Sequence, residues 1–196
     1  MRIVRSVRQQ YENYIVVRHG GVSDPERLFF NAPLNAEATG VVRGSVVSLN
    51  EKGEMVLGLP EGTGNVYPMP MFAKKNADDP DVTTGAVGKE TGEIIATSTV
   101  GGVMMAYVAT GGFEIESSEF DKTATYTINT ALVAHEAAGK QTGKITAAAT
   151  NAVYGDKTVI GIVSAVPFRS KASMNVNGTG HNRICFWSVF FPPKRG

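Results

Sequence analysis

Glycine and proline punctuate this chain so often that long helices have little room to form. There are 22 glycines and 9 prolines in 196 residues. The runs between them are short and rich in β-branched and aromatic side chains, which fit a pleated strand better than a helix. Tyr14–Arg18 reads as a strand stopped by Gly20-Gly21. Val41–Leu49 is a β-rich run, Asn50-Glu51-Lys52-Gly53 a turn, and Met55–Leu57 its hairpin partner. Ile94–Val100 and Val103–Ala109 flank Gly101-Gly102, a two-residue hairpin signal.

Period-two alternation supports the same reading. Phe113 and Ile115 face one way, and Glu114 and Glu116 the other. Ala124, Tyr126 and Ile128 alternate with threonines in the same manner. Thr158–Ser164 is a strand interrupted by Gly161. Arg183–Phe191 is apolar on both faces, so it is either a central strand covered on each side or a strand that meets another subunit. Asn65–Phe72 alternates Pro68 and Pro70, which places it at a sheet edge or in an extended segment. Ala131–Ala138, closed by Gly139, stays open between strand and a short helix. The expected fold is all-β, a compact sandwich or small barrel. An extended N-terminal arm over residues 1–30 precedes the β domain of residues 31–196.

Composition narrows the class. Apolar residues make up 42% and charged residues 19%, too apolar for a disordered chain. No run of eighteen apolar residues exists, so no membrane span is expected. The first residues lack the apolar core of a secretory signal. The single cysteine, Cys185, forbids an internal disulfide and sits in an apolar strand, as a structural thiol does.

The net charge of +1 hides a split. Residues 51–121 hold four basic and twelve acidic residues, a net of −8, and residues 122–196 hold nine basic and two acidic, a net of +7. No acid follows Asp156. A chain that docks one pole onto an acidic partner has this distribution, although an ordinary solvated surface accommodates it too. Arg2, Arg5, Arg8, Arg18, Arg169, Lys171, Arg183, Lys194 and Arg195 are the candidate basic pole. No nucleic-acid-binding module accompanies them, and the pI of 7.8 is low for a dedicated binder.

Catalytic signals are absent. His19, His135 and His181 show no ligand spacing. Asp78-Asp79-Pro80-Asp81 lacks the spacing of a calcium loop. Gly139-Lys140-Gln141-Thr142-Gly143-Lys144-Ile145 has three residues between its glycines where a phosphate-binding loop needs four, and Ile145 where it needs Ser or Thr. There is no Gly-x-Ser-x-Gly elbow. Neither an enzyme nor a cofactor is expected.

Three blocks in order carry a resemblance. The first is Ala32-Pro33-Leu34-Asn35-Ala36 leading into Val41–Asn50. The second is Met69-Pro70-Met71-Phe72 with Asp78–Val82. The third is Gly112–Asp121, continuing through Tyr126, Asn129–Leu132, Gly143–Thr146 and Val159–Ser164 to Phe186-Trp187. Over residues 32–190 the chain resembles the head decoration, or cement, proteins of tailed bacteriophages. The basic N-terminal stretch matches no motif of that family. The resemblance implies a virion protein on the outer capsid surface, made in the bacterial cytoplasm. Its partners would be the major capsid protein and itself, as a homotrimer, with no membrane or direct nucleic-acid partner. The family has no catalytic residues to carry over. On this reading Arg2, Ile3, Arg5 and Arg8 are expected to contact the capsid. Pro68, Met69, Pro70, Met71, Trp187 and Phe191 are expected at an intersubunit contact. Two other functions fit a β chain of this kind: another virion component, such as a fibre base or tail part, and a carbohydrate-binding module.

Overall fold

Turn chemistry decides where the strands begin and end in the computed structural model, which describes residues 15–19, 29–60, 70–77, 103–108, 113–149, 159–174 and 180–188. The strands are β1 (Ile15–His19), β2 (Phe29–Pro33), β3 (Val46–Leu49), β4 (Met55–Leu57), β5 (Met71–Ala73) and β6 (Val103–Val108). They continue with β7 (Glu114–Ser117), β8 (Ala131–Ala137), β9 (Lys140–Ala147), β10 (Val159–Met174) and β11 (Gly180–Ser188). No helix occurs among the described residues. The fold is all-β, in two antiparallel sheets. One has six strands in the order β1-β7-β11-β10-β8-β9, the other five in the order β2-β6-β5-β3-β4.

The β3–β4 hairpin forms as its sequence directs. Asn50 Oδ1 accepts from the Lys52 and Glu54 backbone N–H groups, both at 2.9 Å, and Gly53 supplies the left-handed φ of 76°. Glu54 Oε2 accepts from Asn35 Nδ2 at 2.7 Å and Asn50 Nδ2 at 2.9 Å, which holds its carboxyl below the usual range. These bonds tie the loop after β2 to the hairpin.

The open segment Ala131–Ala138 resolves as strand. β8 and β9 pair through a turn in which Ala138 and Gly139 have φ of 51° and 71°. Two successive positive φ values match the right-handed strand twist. Propensity alone left this segment ambiguous, and pairing on both sides of β8 decides it.

Two expectations change. Ala124–Ile128 is not a strand: Asp121 accepts from the Thr123 backbone N–H (2.9 Å) and hydroxyl (2.7 Å), and Thr130 Oγ1 accepts from the Thr127 N–H at 3.0 Å. These side chains capture the donors a ladder would need. The strand after the prolines is central, with β5 lying between β3 and β6. Pro70 precedes its first residue, so its missing N–H costs the ladder nothing. The strand expected at Tyr14–Arg18 is present as β1, an edge strand paired with β7.

Two apolar clusters share the five-stranded sheet. Val46 and Phe72 join Ile115, Leu132, Ile145, Ile160, Ile184 and Phe186 from the six-stranded sheet in one core. Their neighbours Val47 and Met71 point the other way and pack with Leu34, Val41, Met55 and Ala106 in a second core. Leu59 N–H donates to Gln141 Oε1 at 3.1 Å, so the chain after β4 is held against β9.

Candidate functional site

The β7–β11 pair sets the chemistry of the six-stranded sheet. Cys185 lies opposite Glu116 and Trp187 opposite Glu114. Ile184 and Phe186 enter the core, so alternation sends Arg183, Cys185 and Trp187 to the other face. That face is closed at one end and open at the other. Arg183 Nη1 donates to Glu116 Oε1 at 2.9 Å with both side chains buried, and Cys185 beside them is buried too. Trp187, two residues on, is 42% exposed. Across from it Glu114 Oε1 accepts from Ser164 Oγ at 2.7 Å, and β10 presents Ile162 as the Cα partner of Trp187.

Three other large apolar side chains are exposed among the described residues, Phe30 on β2 (38%), Val166 and Ile128. Val166 on β10 is 48% exposed, and Ile128 is 62% exposed in the turn whose Asn129 N–H donates to the Val163 carbonyl at 2.9 Å. Trp187 is level with the first residue of β8, through Ile162, and Val166 lies four residues further along β10.

A second, polar constellation runs along β9. Tyr126 Oη donates to the Asp121 carbonyl at 2.7 Å, and Thr146 Oγ1 to Asp121 Oδ2 at 3.5 Å. The Thr123 hydroxyl and N–H hold the Asp121 carboxyl below its ordinary range. Burial pushes the Glu119 carboxyl up against the pull of Ser118, Lys144 and Lys122, and burial pushes the Tyr126 phenol up to about 12. Thr142 Oγ1 donates its proton to the His135 carbonyl at 3.0 Å, so the His135 Nδ1 at 2.9 Å is the donor to that oxygen. Every hydroxyl here is engaged in tying turn to strand, which is a clamp rather than an activated nucleophile. Among the described residues, no three His, Cys, Asp or Glu side chains gather where they would hold a metal ion.

The residues singled out from sequence fall in three groups. Arg2, Ile3, Arg5, Arg8, Pro68, Met69 and Phe191 lie outside the described residues. Pro70 is buried, and Met71 is fully enclosed in the second core, so its side chain offers no intersubunit surface; this corrects its assignment. Trp187 is exposed, as a contact residue must be. Arg183 leaves the basic pole, because Glu116 holds it in a buried pair. Sequence reasoning placed Glu116 on the correct face but did not see its burial. It missed Val166 and Ile128, whose signal was an apolar residue beside Pro167 and one inside a threonine-rich turn. Comparison with known protein families, with curated proteins and with solved structures finds no match to this chain.

Proposed function

We propose that this chain is a decoration protein of a tailed-phage head. In this reading it binds the outer surface of the mature shell and bridges neighbouring major capsid proteins. By doing so it stiffens the shell against internal DNA pressure. Support comes from the ordered resemblance over residues 32–190. The structural observation that supports it is the exposure of Trp187, on a strand whose neighbours Ile184 and Phe186 fill the core of an all-β body. A cement protein acts by contact, so it needs a rigid scaffold and a surface patch, and no reaction centre. Linked as trimers, subunits with weak individual contacts gain avidity on the order of 10²–10⁴.

The test is co-sedimentation with expanded, empty shells of the phage that encodes the chain. Saturable binding at fixed stoichiometry, with shells that then survive higher temperature, is the expected result. Shells that sediment without the protein overturn the reading. Deleting residues 1–10 separately tests the arm: loss of binding with an unchanged circular-dichroism spectrum is expected.

A further inference from the structure

We draw no further inference here: the strongest candidate, the outer face of the six-stranded sheet around the exposed Trp187, with Glu114 and Ile162 as its cross-strand neighbours, carries nothing beyond the proposed function, because nothing in the structure shows what covers it.

Discussion

Arg183 donates to Glu116 across 2.9 Å while each side chain keeps only 2% of its surface exposed. Both charges lie on the central strands of the six-stranded sheet, where removing one partner leaves the other's charge in a poorly solvated place. Glu116→Ala or Arg183→Ala should therefore lower stability by about 3–5 kcal/mol. Replacing both by apolar residues of similar size should recover most of that loss. Urea unfolding of the three variants checks both statements. Single variants as stable as the parent would remove the pair from the account of the fold.

Gly161 faces the ring of Phe186, and a Cβ built there would stand 2.5 Å from Cδ2 and 3.1 Å from the Trp187 carbonyl oxygen. The ring is fully buried in the first core and has no free direction in which to retreat. Gly161→Ala should cost about 1–3 kcal/mol by overpacking. The loss should appear as a lower urea midpoint at unchanged slope.

Ala138 holds a φ of 51° in the β8–β9 turn, a region that favours asparagine or glycine over alanine. Ala138→Asn creates the Asn-Gly pair that such a turn prefers and should add about 1 kcal/mol. Thermal unfolding should show a higher Tm, with no change in the spectrum of the folded protein.

Tyr126 is the phenol to follow at alkaline pH. Its folded value of about 12 lies above the ordinary 10, so the native state keeps its proton longer than the unfolded chain does. The associated stability is fully present below pH 10 and is lost as pH rises towards 12. Absorbance titration should show a late phenol step belonging to Tyr126. Tyr126→Phe should abolish that late step and, by removing the bond to the Asp121 carbonyl, cost about 1 kcal/mol at neutral pH.

Trp187 is the sole tryptophan of the chain. At 42% exposure its fluorescence should be quenched readily by acrylamide in the isolated protein. Under the proposed function, association of subunits should reduce that quenching and shift the emission to shorter wavelength. Quenching unchanged in the oligomer would place Trp187 outside the intersubunit contact.

The sequence carried the fold class because glycine-bounded, period-two runs constrain local backbone directly. β3, β4 and their turn were legible, as were β7 and the central position of β11. Ala131–Ala138 was not, since alanine fits strand and helix alike and only the neighbours of β8 decide. Asn65–Phe72 reads as an edge strand or extended segment, and its last two residues, Met71-Phe72, fall in the central strand β5, because Pro70 stops just before it. Tyr126 and its flanking threonines alternate like a strand, yet side-chain hydroxyls took the donors. Trp187 is legible through its strand, on the face opposite Ile184 and Phe186. Met71 was not distinguished from a surface methionine, because burial on the second face of the five-stranded sheet is a tertiary fact. The ion pair was hidden for the same reason: Arg183 and Glu116 are 67 residues apart.

β11 follows every other described strand along the chain and yet sits between β7 and β10. Strands made earlier cannot close the six-stranded sheet around a gap that later synthesis must fill. Until β11 leaves the ribosome, the facing edges of β7 and β10 expose unpaired backbone, the kind of surface that chaperones recognise and that aggregates otherwise form on. Assembly of the sheet is therefore a late event, and any stop codon that removes β11 removes the middle of the sheet rather than its margin.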